Sequence, residues 1–403
     1  MKIAIIGGGA AGMFAAANIR QFHPGSQVTV FEKKQQLLAK VRVSGGGRCN
    51  LSHACRDIDE LLTAYPRGAS LLKRVFHQFD HHQTMEWFRE RGLKLVTQDD
   101  GCVFPASQDA MSVVKLLIRQ ADKNNVSLLL NHTITGIGIK DKGFELEEKN
   151  HEAPFIFDKL IITTGGSPSI SRLDWLKTCG HEIVTPAPSL FTFNVKDKAV
   201  TALMGLVVNQ VNVSVAGTAF KSEGPLLITH WGFSGPAILK LSAFAARHLF
   251  DQHYNFSLRI NWTGRHGEEE MKQQLEEISR KDRSKRVVNS RPQGIPQRLW
   301  EHLLLKAEVD PDQVWHNLGK KSLNILSGLL CNDQYAVSGK TTFREEFVTS
   351  GGISRKSVDM NSLESKVCRG IYFAGELLDI DGITGGYNLQ AAWSTGYVAA
   401  MLK

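Results

Sequence analysis

Three consecutive glycines, Gly45, Gly46 and Gly47, stand before Arg48, Cys49 and Asn50 in the stretch VSGGGRCNLS. Glycine lets a backbone lie close to a ligand, arginine brings a planar, permanent cation suited to a phosphate or a carbonyl oxygen, and a cysteine can act as a nucleophile or an acid. The stretch therefore admits three readings: a phosphate cradle, a reactive thiol on a flexible loop, or a tight turn. Ser44 and Asn50 add hydrogen-bonding groups that could serve a bound cofactor or a substrate.

A second glycine cluster comes earlier. Gly7, Gly9 and Gly12 enclose Gly8, Ala10 and Ala11 in a GxGxxG pattern between an apolar run, KIAII, and an alanine-rich helical stretch. In this pattern the first glycine permits the turn, the second lets a pyrophosphate approach the backbone, and the third lets helix and strand pack, with the helix N-terminus supplying partial positive charge. Glu32 follows Gly12 by 20 residues and closes the next strand, QVTVFE, where a carboxylate can bind a ribose diol. Together they predict a dinucleotide site rather than a glycine turn with a surface acid beside it. FAD and NAD share this fingerprint, so the pattern alone leaves the choice open.

Two later stretches bear on that choice. ITTGG, with Thr164, Gly165 and Gly166, reads as a strand running into a backbone turn near the cofactor. YFAGELLD followed by GGYNLQAAWSTGYVAA resembles the late flavoprotein motif, in which a strand ends in a Gly-Glu pair, here Gly375 and Glu376, that meets the ribityl and pyrophosphate part of FAD. The helix after it would point its N-terminus at the flavin ring, where unpaired N–H groups stabilise the negative charge of the reduced form. Gly385, Gly386, Tyr387 and Asn388 are the candidates for that contact. A second GxGxxG is not evident, so NADH or NADPH is expected to dock only transiently as electron donor.

These pieces need elements to hold them. The opening reads as a β-α-β unit; residues 70 to 95 and 108 to 124 carry helical periodicity; and VSLLLNHTITGIGIKDKGFELEE alternates as strand and hairpin. From about 190 the texture changes to short alternating strands, then to charged helices, and the last segment returns to strand, glycine loop and helix. The expected fold is α/β. A Rossmann-like, glutathione-reductase-type FAD domain takes residues 1–190 and 341–403; an inserted antiparallel β subdomain takes 191–265 and a small helical subdomain 266–340.

Composition bounds the rest. No apolar run approaches the roughly 18 residues that suggest a membrane span, and the N-terminus runs straight into a folded motif without signal-peptide order; the cytoplasm is the expected location. Six cysteines, Cys49, Cys55, Cys102, Cys179, Cys331 and Cys368, form no CxxC pair, and the adjacent His81 and His82 lack a matched ligand set, so no metal is expected and the two histidines are read as surface or partly buried residues. The net charge of +8 favours anionic partners. It is concentrated in residues 280–299, where Arg280, Lys281, Arg283, Lys285, Arg286, Arg291 and Arg298 face the single acid Asp282.

In order along the chain, IIGGGAAGM, SGGGRCNLS, GCVFPASQDAMSVV, TTGGSP, LLITHWGFSGPAIL and AGELLDIDGITGGYNLQAAWSTGY resemble the BaiN-type or YhiN-type NAD(P)/FAD-dependent oxidoreductases, and the resemblance covers essentially the whole chain. It implies bound FAD, a flavin domain split in sequence, and reduction of an activated C=C bond. Activities associated with that family are dihydrouridine formation in large-subunit ribosomal RNA and reduction of unsaturated bile-acid intermediates. The basic tract and the pI of about 9.1 favour ribosomal RNA; a small unsaturated molecule such as a steroid acid or enone is the alternative. Trp87, Trp231, Trp262, Trp300 and Trp315 could stack on bases, though core packing is the commoner role. Within this frame VSGGGRCNLS is read as a loop beside the flavin. Lys33 and Lys40 join the expected cofactor contacts, with Gly7, Gly9, Ala10, Ala11, Gly12, Glu32, Ser44, Gly45, Gly46, Arg48, Cys49 and Asn50.

Hydride delivered to C6 of a uracil leaves an enolate whose C5 must be protonated. Cys49 is the first candidate acid, by analogy with transfer-RNA dihydrouridine synthases on an unrelated fold, and it is weighed against a structural thiol. His230, in THWGFSGPAI, and Tyr387 are its rivals. The first of these motifs could line a site between domains, and it lacks the GxSxG elbow of a serine hydrolase.

Overall fold

The computed structural model describes residues 1–403 apart from 150, 168, 265 and 342–347. The chain forms two compact units, one built from Met1–Ser189 with Arg344–Lys403 and the other from Leu190–Phe343.

At the centre of the first unit is a five-stranded parallel sheet in the order Ile371–Phe373, Lys159–Ile162, Lys2–Ile6, Gln27–Glu32, Ser127–Leu130. Strands covered on both faces read as unbroken apolar runs, and Ile3, Ala4, Ile5, Leu160, Ile161 and Ile162 have no exposed surface. Helix Ala10–Phe22 crosses from the first strand to the second. Its alanines let the C-terminal helix, Tyr387–Ala400, approach closely enough that a Cβ on Gly396 would stand 2.4 Å from the Ala11 carbonyl oxygen. Phe14, on the same helix, packs against Trp87 and Trp393. An antiparallel meander, Ile134–Lys140, Gly143–Glu148 and His151–Phe157, completes the early half. His81 departs from its surface reading: it is fully buried because its ring Nε2 meets the Cys55 carbonyl at 2.8 Å, while its neighbour His82 stays exposed.

Strands Ile183–Pro188 and Thr349–Ile353 pair antiparallel, with Pro188 opposite Thr349. One precedes the second unit in sequence and the other follows it. The expected domain limit at 341 adjoins residues 342–347, which lie outside the described residues.

The second unit is a closed antiparallel barrel of six strands in the order Thr192–Val195, Gly232–Ser234, Lys221–Thr229, Val207–Val215, Asn255–Asn261, Asp333–Thr341. Helices Glu268–Lys281, Gln297–Lys306 and Lys320–Asn332 share its apolar core, in which Trp300, Trp315 and Leu326 belong to one cluster with Val213 and Ile260. The stretch 266–340, expected to be helical, therefore ends in a barrel strand. The reason is local: Asp333, Tyr335 and Val337 alternate inward while Gln334 and Ala336 face out, a period of two that no helix satisfies. Trp87, Trp262, Trp300 and Trp315 are all buried, which leaves none of those four free to stack on a base.

A polar knot sits inside the barrel. The Asp333 carboxylate, fully buried, accepts from Lys306 Nζ at 2.5 Å, from Tyr335 Oη at 2.6 Å and from Trp262 Nε1 at 3.0 Å. Burial, with Asp333 beside it, pushes the Tyr335 phenol far up and keeps it a donor. Removing one member of a buried pair leaves the other uncompensated. Asp333→Ala should lower the unfolding free energy by about 3 kcal/mol, and adding Lys306→Met should recover part of the loss. Urea unfolding followed by tryptophan fluorescence reads both, and a double variant no more stable than the single one would refute the assignment.

Candidate cofactor site

Each glycine of the first cluster is required for a different reason. Gly7 has φ +115°, and a Cβ there would lie 2.5 Å from the Thr163 carbonyl oxygen; a Cβ on Gly12 would lie 2.0 Å from the Gly7 carbonyl oxygen. Gly9 has nothing within 4 Å of such an atom and so faces open space. The helix it starts has no side-chain cap and no acid in its first turn, so the N–H groups at Ala10 and Ala11 keep their positive potential for an anion. Glu32 is held at the mouth of the turn: its Oε2 accepts from Gly8 N at 2.8 Å and its Oε1 from Lys34 N at 2.9 Å. Lys33 is exposed.

The third and fourth glycine turns meet around one carboxylate. Glu376 Oε1 accepts from Thr349 N at 2.9 Å, and Oε2 pairs with Lys40 Nζ at 2.6 Å. A Cβ on Gly166 would strike Glu376 Oε1 at 2.3 Å, so Gly166, Glu376 and Lys40, distant in sequence, are neighbours. Gly165, at φ +76°, again faces open space, and Thr164 Oγ1 is buried without a hydrogen-bond partner. Gly375, at φ +74°, comes close to the Ala11 side chain, which links the fourth turn to the first helix.

The loop of residues 44–53 folds against the start of the C-terminal helix. Gly45, Gly46 and Gly47 have φ of +59°, +68° and +84°, and no heavy atom lies within 4 Å of a Cβ on Gly46 or Gly47. Cys49 N donates to Ser44 O at 2.8 Å, closing the turn, and the Ser44 hydroxyl donates to Val41 O at 2.9 Å. Arg48 lays its guanidinium over the Phe104 ring, 4.3 Å from the centroid, with Nε 3.2 Å from Gly45 O. Asn50 Oδ1 is buried and has no partner. Across from it, a Cβ on Gly386, at φ +91°, would stand 2.7 Å from that oxygen and 2.4 Å from Ser52 O. Asn388 turns inward as a clasp, bonding the N–H and the carbonyl of Gly382 at 2.8 Å each.

The three residues expected as acids differ in access. Cys49 has no exposed surface, and burial pushes its thiol up to about 12 against a weaker pull from Ser44; that is at odds with handing a proton to a bulky substrate. Tyr387 is buried to 9% exposure, its phenol raised by desolvation and by Cys55 beside it. His230 belongs to the barrel unit, exposed on the turn between Lys221–Thr229 and Gly232–Ser234, with the Trp231 ring 4.0 Å away. A fourth group escaped the sequence reading. His53 is half-buried, stacked on Tyr387 with ring centroids 4.6 Å apart, and its Nδ1 lies 3.0 Å from Gly385 O. Its place just past SGGGRCN was the available signal.

Below the helix start lies a buried ionic contact. The Arg67 guanidinium grips both oxygens of Asp381, which also accepts from the Ser189 hydroxyl. Asp381 precedes the Gly382 that Asn388 holds, so this pair anchors the loop carrying Gly385 and Gly386.

The open faces of Gly9 and Gly165, the uncapped helix start, and the orphan oxygens of Thr164 and Asn50 form a cradle that suits a dinucleotide with a ring system toward Gly386. Comparison with known proteins points the same way. The sequence model of the HI0933-like protein Rossmann domain matches residues 1–402. A ribosomal RNA dihydrouridine synthase of Haemophilus influenzae is 28% identical, with 98% of this chain and 97% of that protein covered. A 3-dehydro-bile acid delta(4,6)-reductase of Clostridium scindens is 26% identical, with 99% and 98% covered. Among solved structures, the 3-ketosteroid delta1-dehydrogenase of Sterolibacterium denitrificans superposes with a TM-score of 0.51 at 13% identity, covering 99% of this chain and 98% of that one. Escherichia coli quinol fumarate reductase FrdA gives 0.50 at 12% identity, over 100% of this chain and 69% of that one.

Gly9 and Gly12 can be separated by experiment. Gly9→Ala adds a methyl in open space and should change the stability of the cofactor-free protein by no more than about 1 kcal/mol, yet lower the flavin retained on purification. Gly12→Ala should lower both, since its methyl meets backbone. Absorbance of bound flavin and thermal unfolding of the stripped protein read the two effects; a Gly9→Ala protein with undiminished flavin would place the pyrophosphate elsewhere.

Proposed function

The chain belongs to the HI0933-like Rossmann family, and from that premise we propose that it is an FAD-dependent reductase of an activated C=C bond, acting on a uridine of large-subunit ribosomal RNA with NADH or NADPH as donor. The observation that carries the flavin part is the pair of orphan oxygens, Asn50 Oδ1 and Thr164 Oγ1, set in a cradle of open glycines. The excess of positive charge, +8 overall, favours the RNA.

When bound, FAD would supply the two-electron redox chemistry between a nicotinamide donor and the alkene. The chain's own groups do the rest. The N–H groups of Ala10 and Ala11 would hold the pyrophosphate, Glu32 the adenosine ribose, and Glu376, fixed by Lys40 and Thr349, the ribityl side. The start of the C-terminal helix at Gly386 and Tyr387, which has no side-chain cap, would supply positive potential toward a reduced ring. Proton delivery to the substrate carbon is assigned to His53. It is half-buried at this helix start, stacked on Tyr387, with its Nδ1 3.0 Å from Gly385 O. His230 is the alternative donor.

A second reading has its own support. The bile-acid reductase matches this chain over as much of its length as the ribosomal RNA enzyme does, so a small unsaturated steroid acid or enone is the competing substrate. Anaerobic incubation of unmodified 23S ribosomal RNA with the protein and NADH or NADPH, followed by nucleoside mass spectrometry, should yield dihydrouridine. Flavin reduction by the nicotinamide without dihydrouridine would transfer the assignment to the small-molecule reductase. His53→Asn should leave nicotinamide-driven flavin reduction intact and slow product formation by ~10²–10⁴-fold. Cys49→Ala should do none of these. Full product formation by His53→Asn would remove His53 as the donor.

A further inference from the structure

Expectation put the RNA contact in the basic tract 280–299, and there the cations are largely occupied. Arg280 faces Glu276, Lys285 faces Asp282 and Arg286 faces Asp312, while Arg291 donates to Ile295 O and Gln297, and Arg298 to Ala202 O. Exposed pairs of this kind are weak, but each must be given up before a phosphate can take its place.

A different surface of the same unit has its cations unspent. On the outer face of the barrel, Ser214 stands opposite Lys221 on one neighbouring strand and opposite Arg259 on the other, and Arg259 stands opposite Gln334. The inward residues of these strands, Val213, Val215, Leu258 and Ile260, fill the core, which turns the row outward. The row borders a groove of about 660 Å³, whose walls also carry Asn212 and Asn261. A second lobe of about 590 Å³ shares Asn212 and Glu223 with it and reaches Lys240. Lys221, Lys240 and Arg259 have no carboxylate within ion-pair distance among the described residues, and Glu223, the acid among the lining side chains, has an interaction of its own.

We propose that this groove is the docking track for a single-stranded segment of the RNA substrate, with Lys221, Arg259 and Lys240 meeting phosphates and the hydroxyl and amide groups between them meeting 2′-hydroxyls. The inference rests on the RNA reading of the function. Three features favour an RNA strand over a compact ligand. Lys221 and Arg259 flank Ser214 from the strands on its two sides, about 4.8 Å away each, and Lys240 is added from the helix Pro236–Phe244 beside the second lobe, so the cations follow the length of the groove rather than ringing a pocket. Hydroxyl and amide side chains stand between them, Ser214, Ser222, Asn212 and Asn261, and these suit ribose and phosphate. Among the described residues lining the two lobes, His266 carries the one aromatic ring, so recognition is mainly by backbone and 2′-hydroxyl, with a single position for base stacking.

The test is salt-dependent binding of the FAD-loaded, full-length protein to a single-stranded fragment of unmodified 23S ribosomal RNA, for the parent, for Lys221→Ala with Arg259→Ala, and for Lys281→Ala with Arg283→Ala in the tract. Each lost phosphate contact reduces the slope of log K against log salt by about 0.7 for a single strand, so the groove variant should lose about 1.4 in slope and bind ~10–100-fold more weakly at low salt. Its flavin content and nicotinamide-driven flavin reduction should match the parent. An unchanged slope in the groove variant overturns the inference, as does a loss confined to the tract variant. A raised KM for NADPH with RNA binding intact would give the groove to the dinucleotide and equally overturn it. If the parent itself neither binds the fragment nor forms dihydrouridine, it is the RNA reading of the function that has failed.

Discussion

One backbone contact governs the first unit: the Gly7 peptide is wedged between the strand ending at Ile162 and the helix beginning at Ala10. Thr163 N donates to Ile6 O at 2.8 Å and the Thr163 hydroxyl to Gly7 O at 2.8 Å, while Gly12 presses on that same carbonyl from the other side. There is no room for a side chain on either glycine. The clearance that remains, over Gly9, is where an anion can lie on bare backbone. Sheet register, helix start and phosphate cradle are thus set by one arrangement, and the turns at Gly165, Gly375 and Gly386 are built outward from it.

This explains what could be read from residue types alone. Gly7, Gly9, Gly12 and Glu32 announce themselves because local sterics demand them at fixed spacing, and the parallel sheet is legible in KIAII and KLII because strands covered on both faces must be apolar throughout. Lys40, Gly166 and Glu376 were each expected beside the cofactor, but their meeting around one carboxylate is long-range and has no local signal. His53 was hidden for the same reason, since its partners Tyr387 and Gly385 lie more than 300 residues away. The sixth barrel strand was masked by the helix before it: Lys320–Asn332 runs into Asp333 without a break, and only the burial of Asp333, Tyr335 and Val337 separates the two periods. Cys49 shows the converse. Its residue type suggested chemistry, whereas its left-handed φ of +64° and complete burial make it the closing residue of a turn.

Charge tells a similar story in the second unit. A basic run in sequence is conspicuous, yet its cations are met by Glu276 one helical turn upstream, by Asp282 within the run and by Asp312 from another segment. The cations of the groove come one at a time, Lys221 and Arg259 from two strands and Lys240 from a helix, and have no sequence signature. Folding, not composition, brings them together.

The paired strands Ile183–Pro188 and Thr349–Ile353 have a consequence of another kind. Pro188 and Thr349 are cross-strand partners in the first unit, and Thr192 and Thr341 are cross-strand partners in the second. Each unit therefore brings its own two loose ends together, and each holds them at the spacing of adjacent strands. Joining such units costs little closure entropy, because neither must stretch or reorganise to accept the other. The barrel is therefore an insertion whose removal or exchange would leave the strand pairing of the first unit, and the glycine turns built on it, in place.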